Sequence, residues 1–239
     1  MITILSLNVR GLNAPVKRQA QLLHLRDLKC DICLLQETHL LRQDWKKTGT
    51  CWFDRQFHSW SPGPRAWVAR NLPGKAIWVQ AEISGRLLLL QIDMQWHNLT
   101  MANVYGPNEH QECYLKDALG RILVTPDEDT VVGRDFNIAP DPHVDRSAQG
   151  YGQTGAFLQG FQDWLGRAGL TDIWRRHHPA DRTYSFFSAA YQTYARIDLF
   201  LTSPRKTTLS TSSAIGVASI SDHSLFTLSL TLRAYKPSK

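Results

Sequence analysis

Six short polar clusters spread along the chain carry residue types suited to hydrolysing a phosphodiester. They are Asn8 in Ser6-Leu7-Asn8-Val9-Arg10-Gly11, Glu37 in Leu34-Leu35-Gln36-Glu37-Thr38, Tyr105 in Asn103-Val104-Tyr105-Gly106-Pro107, Asp135 and Asn137 around Phe136, Asp198 in Arg196-Ile197-Asp198, and Asp222-His223 between Ser221 and Ser224. Such a cleavage needs an attacking water, stabilisation of the charge that builds on the phosphoryl oxygens, and help for the departing oxygen. Asp135 can orient or deprotonate the water and Asn137 can position it. His223 can contact the phosphate, and Asp198 can orient its imidazole through the other ring nitrogen. Glu37, following an apolar run, suits a hard cation such as Mg²⁺, with Asp222 as a further metal contact. Asn8 and Tyr105 offer neutral hydrogen bonds to phosphate oxygens. Each cluster alone has a bland reading: an Asx turn at 135–137, a solvated glutamate at a strand end, core-edge packing for Asn8 and Tyr105. Their joint occurrence, in order across the chain, is what points to one site.

The clusters fall at the ends of predicted strands. Ile2 to Leu7 reads as a strand, followed by a turn and a helix from Pro15 to Leu28, with proline suited to the first helical turn. Asp31 to Gln36 reads as a short buried strand that delivers Glu37. From Trp52 to Tyr105 the pattern is β-rich, with strands at Ala66–Ala69, Ala76–Ile83, Leu87–Met94 and Leu99–Tyr105 and a turn at Ser84-Gly85. A helix is expected over Glu109 to Leu123, a strand over Thr130 to Gly133, and a helix capped by Thr154 running through Leu165. Tyr184–Phe187, Arg196–Leu201 and Leu225–Leu232 are strand-like. If the chain at 135–137 is extended, Asp135 and Asn137 face one cleft while Phe136 points inward. Mixed strands and helices with polar clusters at strand ends imply two packed sheets with helices outside, in a single domain over residues 1–239.

Composition narrows the partners. Lys and Arg number 27 against 21 Asp and Glu, a net charge of +6 that favours a polyanion, and the charge is dispersed as Lys17-Arg18, Lys46-Lys47, Arg175-Arg176 and Arg205-Lys206. Dispersed charge suits several phosphate contacts along a duplex better than one membrane-binding tail. Four cysteines are too few for a disulfide scaffold. Cys30 and Cys33 have the spacing of half a zinc or redox site, but no second half accompanies them, so buried free thiols are expected. No apolar run is long enough to span a bilayer, and the chain reads as soluble, intracellular and without a leader.

The series Asn-Val-x-Gly-Leu, Gln-Glu-Thr-His, Val-Tyr-Gly-Pro-Asn, Gly-x-Asp-Phe-Asn, Arg-Ile-Asp and Ser-Asp-His resembles the exonuclease–endonuclease–phosphatase superfamily. Within it the chain most resembles the apurinic-endonuclease-like domain of LINE-type non-LTR retrotransposons, from Ile2 to about Arg233. The resemblance implies a four-layer α/β sandwich of the DNase I-like kind, Mg²⁺ (or Mn²⁺) dependence, and nicking of double-stranded DNA to leave a 3′-hydroxyl that primes reverse transcription. It also implies a nuclear site of action after cytoplasmic synthesis, a monomeric domain, and a larger protein that brings element RNA and a reverse transcriptase. By motif, Glu37 would hold the metal, Asn8 and Tyr105 contact the phosphate, Asp135 and Asn137 handle the water, and His223 with Asp198 stabilise the transition state. Thr183, Ser221 and Arg10 would touch the DNA backbone, and the loop from Phe187 to Tyr194, with Tyr191 and Tyr194, would probe the minor groove. Departures bear on the substrate. Arg10 stands where abasic-site repair enzymes carry an acidic metal ligand, and Ala195 where they carry a tryptophan that walls the pocket for a flipped sugar. Arg134 and Trp67 replace glycines common in the family. An abasic-site repair endonuclease and a phosphatase acting on inositol phosphates are the alternative readings.

Overall fold

In the computed structural model, two six-stranded sheets pack face to face with helices on their outer surfaces. The structure describes all residues except 41–47, 49–52, 60–63, 70–71, 73, 83–84, 95–97, 108–113, 115–119, 121, 123–128, 149–152, 219 and 232–239. The first sheet comprises β1 (Ile2–Asn8), β2 (Ile32–Gln36), β3 (Phe53–His58), β4 (Arg65–Ala69), β13 (Ser210–Ile215) and β14 (Phe226–Leu230), in the order β13-β14-β1-β2-β4-β3. The second comprises β5 (Lys75–Ala81), β6 (Leu87–Asp93), β7 (Asn98–Tyr105), β8 (Asp129–Asp135), β9 (Thr171–Asp172) and β12 (Asp198–Thr202), in the order β5-β6-β7-β8-β12-β9. A two-stranded hairpin, β10 (Phe186–Ser188) and β11 (Thr193–Ala195), stands apart from both.

Alternation along the strands builds the core. Ile2, Ile4, Ile32, Leu34, Leu88, Leu90, Met101, Val131, Phe200 and Leu228 meet between the sheets, all buried. Opposite faces of the same strands carry Leu5, Leu7, Cys33 and Leu35 toward one outer layer, and Leu87, Leu89, Val132 and Leu199 toward the other. Gly133 sits where the sheets approach most closely: a Cβ there would lie 2.5 Å from Leu34 Cδ1 and 2.7 Å from a Phe200 ring carbon. The close approach thus falls on Gly133, one residue before Arg134. The Arg134 side chain lies outside the described atoms. Trp67, the other position where the sequence resemblance leads one to expect glycine, is fully buried against Phe53 on the outer face of the first sheet.

Helix α1 (Pro15–Asp27) starts at its proline and covers the first sheet through Leu25. The short α2 (Pro142–Asp145) is capped by Asp141. Helix α3 (Gly155–Ala168) covers the second sheet through Leu158, Phe161 and Leu165. Thr154 Oγ1 accepts the Phe157 N–H at its start, and Gly169, at φ 63°, ends it in the left-handed conformation that glycine adopts freely. Two short helices, α4 (Ile173–His177) and α5 (Pro204–Leu209), complete the described elements.

These bounds match the sequence reading closely for β1, β2, β4 to β8, α1, α3, β12 and β14. Most of the expected Glu109–Leu123 helix, and Ser84 of the expected turn, lie outside the described residues. Gly85 of that turn has φ 71°. One part of the charge reading is corrected. Lys206 is fully buried and paired with Asp129 at 3.0 Å, and Arg175 belongs to a buried ion network, so neither forms part of a dispersed phosphate-binding surface. No helix among the described residues is long and apolar enough to cross a membrane. Cys30 and Cys33 are buried free thiols, and burial pushes the Cys33 thiol up.

Candidate active site

Strand registry gathers the polar clusters at one edge of the sandwich. In the second sheet β7 runs parallel to β8 and β12 antiparallel to it, so that Tyr105 and Asp198 both pair with Asp135. In the first sheet Asn8 pairs with Gln36, which places Glu37 beside Asn8. His223 enters just before β14, the other neighbour of β1. Two sheets that share a core must bring these strand ends together.

Asn8 links the sheets. Its Nδ2 donates to Glu37 Oε1 at 3.0 Å and to Asp135 Oδ2 at 2.9 Å, and its Oδ1 accepts the Arg10 N–H at 2.9 Å. The amide, expected to contact phosphate, is therefore engaged in holding two carboxylates. Asp135 Oδ1 accepts the Asn137 N–H at 3.0 Å, and Asn137 Nδ2 donates to Gly106 O. Asn137 has φ 51°, so the segment is not extended, contrary to the expectation for 135–137. A left-handed Asx-type turn holds the pair instead. Phe136 points inward as expected, fully buried with its ring edge on Phe161.

His223 Nδ1 lies 2.9 Å from Asp198 Oδ2, and its Nε2 faces Asp135 Oδ2 at 3.7 Å, beyond hydrogen-bonding distance. Burial alone would lower the His223 pKa, but Asp198 and Asp135 outweigh it and push it up to about 10, so the ring is an imidazolium at neutral pH. Burial raises Asp135 to about 6, with Asp198 adding to the rise while His223 opposes it. Burial would also raise Glu37, yet hydrogen bonds from Asn8, Tyr105 and His39 hold it below its ordinary value. The Tyr105 phenol is pushed up by burial and by Glu37, and the Arg86 guanidinium lies 5.3 Å from its ring centre.

The remaining predicted residues fall around this centre. Ser221 Oγ donates to Asn8 O at 2.8 Å and accepts the His223 N–H, so it ties the last motif to the first. Asp222 is ion-paired with Arg10 at 2.7 Å. The Thr183 hydroxyl and N–H both donate to Asp181 Oδ1, on an exposed turn. Tyr191 is exposed between β10 and β11, and Tyr194, on β11, packs on Tyr184 and Phe187. Ala195 lies in a small cluster with Ala139, Ile197 and Phe186, whose ring also packs on His223 at 4.7 Å.

Several organising residues escaped the sequence reading. Ser185 Oγ accepts the N–H groups of both Ile197 and Asp198 at 3.1 Å, fixing the strand start that carries Asp198. Gln36 Nε2 donates to Asn103 Oδ1 at 2.7 Å across the two sheets. Polar residues inside otherwise apolar strands were the available signal for Gln36 and Asn103.

A sequence profile of the endonuclease/exonuclease/phosphatase family matches residues 5–223. The chain belongs to that family. The fold agrees with that of several solved nuclease structures. The AP endonuclease LMAP from Leishmania major superposes with a TM-score of 0.75 at 17% identity, over 95% of this chain and 86% of that one. A 3′-5′ exonuclease, NExo, from Neisseria meningitidis gives 0.74 at 20% identity, over 97% and 100%. The APE2 catalytic domain from Xenopus laevis gives 0.74 at 16%, over 96% and 91%.

This family member's site has oxygen donors that fit a divalent cation. Asp135, Asp198 and His223 place ligand atoms within 4.8 Å of one another. A protonated imidazole cannot ligate, however, and His223 is held protonated between two carboxylates. Glu37 is the better holder: its carboxylate is ionised, partly open to solvent, and flanked by an amide, a phenol and an imidazole. A cation there would supply positive charge beside the reacting phosphate.

Proposed function

We propose that this chain is a divalent-cation-dependent DNA endonuclease that nicks one strand of a duplex and leaves a 3′-hydroxyl. In that reading Mg²⁺ is held through Glu37. Asp135, with Asn8 and Asn137 fixing its two oxygens, accepts a proton from the water that attacks phosphorus. The P–O3′ bond breaks, O3′ leaves with the bonding electron pair and takes up a proton from solvent to become the 3′-hydroxyl, and the new 5′-phosphate retains the water's oxygen. His223, kept cationic and aimed by Asp198, hydrogen-bonds to a non-bridging oxygen as its charge grows. The observation that carries the reading is the contact chain from Glu37 through Asn8 and Asp135 to His223 and Asp198. The motif resemblance extends the proposal to a mobile element, whose larger protein would use the 3′-hydroxyl to prime reverse transcription of its RNA in the nucleus.

The test is incubation of supercoiled plasmid with protein and Mg²⁺, alongside EDTA and His223→Ala controls. Relaxed circles that need both the cation and His223 are expected; plasmid that stays supercoiled with wild-type protein refutes the proposal. The AP endonuclease neighbours favour a second substrate, an abasic duplex. An oligonucleotide with one abasic site separates the two: the small side chain at Ala195, in place of a tryptophan that would select a flipped, base-free nucleotide, predicts cutting of the intact strand at a rate within about tenfold of the abasic one.

A further inference from the structure

The mouth of the site carries a charge pair in which the last motif's carboxylate is already taken. Asp222 Oδ2 lies 2.7 Å from Arg10 Nη1. The Lys17 ammonium donates to Arg10 O at 2.8 Å and acts electrostatically on both Asp222 and Arg10. A divalent cation approaching Asp222 therefore meets two positive side chains and must displace one of them. Glu37, on the same rim, is ion-paired with neither in the described contacts, and the Lys17 charge reaches it more weakly than it reaches Asp222.

Arg10 is also firmly placed. Its backbone has φ 45°, in the left-handed region, and its N–H is held by Asn8 Oδ1. One guanidinium nitrogen is engaged with Asp222 while the side chain remains 66% exposed, so the rest of the fork faces solvent at the lip. A guanidinium in that setting suits a phosphate oxygen, since its planar donors match such acceptors in pairs.

We propose that Asp222 is the counter-ion that aims Arg10 at a DNA phosphate next to the one being cut, and that the divalent cation is held through Glu37 without Asp222. The proposal rests on the reading of the site as a cation-dependent nuclease. It gives this chain a fixed positive arm in place of a second cation-binding carboxylate.

Mn²⁺ binding to the free protein, followed by loss of the aqueous Mn²⁺ electron paramagnetic resonance signal, tests it without DNA. Asp222→Asn should bind Mn²⁺ within threefold of wild type, whereas Glu37→Gln should bind at least tenfold more weakly. Arg10→Ala, which releases Asp222, should bind at least threefold more tightly. Weakening of threefold or more in Asp222→Asn, a smaller loss than tenfold in Glu37→Gln, or no tightening in Arg10→Ala would each overturn the assignment. Both Arg10 and Asp222 are solvent-facing, and thermal melts check that the variants fold. The phosphate contact is read separately: Arg10→Ala should lower the slope of log affinity for duplex DNA against log salt by about one, and an unchanged slope removes that role. Failure of the nuclease reading shows elsewhere, as plasmid left intact by wild-type protein saturated with Mn²⁺.

Discussion

Two buried charged clusters flank the start of β12, and they behave in opposite ways. Arg196 belongs to one: it meets Asp145 at 2.7 Å and Asp172 at 2.7 Å, while Arg175 also binds Asp145. Two guanidiniums face two carboxylates there. Burial opposes the charge on Arg196, yet the carboxylates outweigh it and hold the group protonated. Two residues along the chain, Asp198 belongs to the other cluster, where Asp135 and Asp198 flank one imidazolium. The residue types overlap, so kind of side chain does not separate scaffold from reactive site. Pairing does. Each buried carboxylate of the first cluster meets a guanidinium, which fixes geometry, whereas in the second burial first, and then the neighbouring Asp198 carboxylate, raise Asp135 to about 6 against the pull of His223, so that it can exchange a proton near neutrality.

The sharpest way to break this contrast is to remove one cation from each cluster. At the unbalanced one, His223→Ala should lower nicking by about 10²–10⁴-fold, with duplex binding within a few-fold of wild type. Nicking kinetics and a binding titration check it; unimpaired cutting removes His223 from the reaction. At the balanced cluster the effect should fall on stability instead. Arg196→Met leaves the Asp145 carboxylate buried with half its partners and should cost about 3–5 kcal/mol, read from urea unfolding. The converse result, an active-site loss without destabilisation, would erase the distinction.

The same contrast explains what the sequence could disclose. Reactive residues sit at strand ends in short motifs, and the strands between them alternate cleanly, so both β8 with Asp135 and β2 with Glu37 could be placed from pattern alone. The balanced cluster gave little signal: Arg196 stands in the Arg-Ile-Asp motif, but its partners Asp145 and Asp172 are far from it in sequence and each looks like an ordinary surface charge. Strand β13 was equally hidden: Ser210–Ile215 is rich in serine and is a strand because it pairs with β14. Asn8 is recognisable as part of the site, but its bonds to Glu37 and Asp135 are not. Which atoms an amide binds depends on the registry of two sheets, and only packing sets that.

Titration should sharpen the comparison next. Nicking should fall as the pH drops through about 6, because Asp135 takes up a proton and can no longer accept one from water. For stability the sign runs through His223, whose pKa rises from 6.5 to about 10 on folding. The folded state binds that proton more tightly, so its contribution is complete below pH 6.5 and lost as the pH climbs toward about 10. Urea unfolding of wild type and His223→Gln between pH 6 and 10 checks this. The excess stability of wild type over the variant should shrink across that range, and a constant difference would mean that the imidazolium is not the group responsible.

The smallest effect should come from the hairpin, which lies outside both clusters. Tyr194 is packed between Tyr184 and Phe187, with ring centres at 6.1 and 4.7 Å, so truncating it disturbs the hairpin itself. Tyr191, 63% exposed at the turn, can be changed with less disturbance to the packing. A side chain that reads groove shape acts on where the duplex deforms, leaving the chemical step alone. Tyr191→Ala should therefore change the total nicking rate by less than about threefold, the scale of a surface substitution, while redistributing nick positions along a plasmid. Sequencing the nick ends for both proteins decides it. An identical map would leave the hairpin as a structural turn, with site choice made by the lip residues around Arg10.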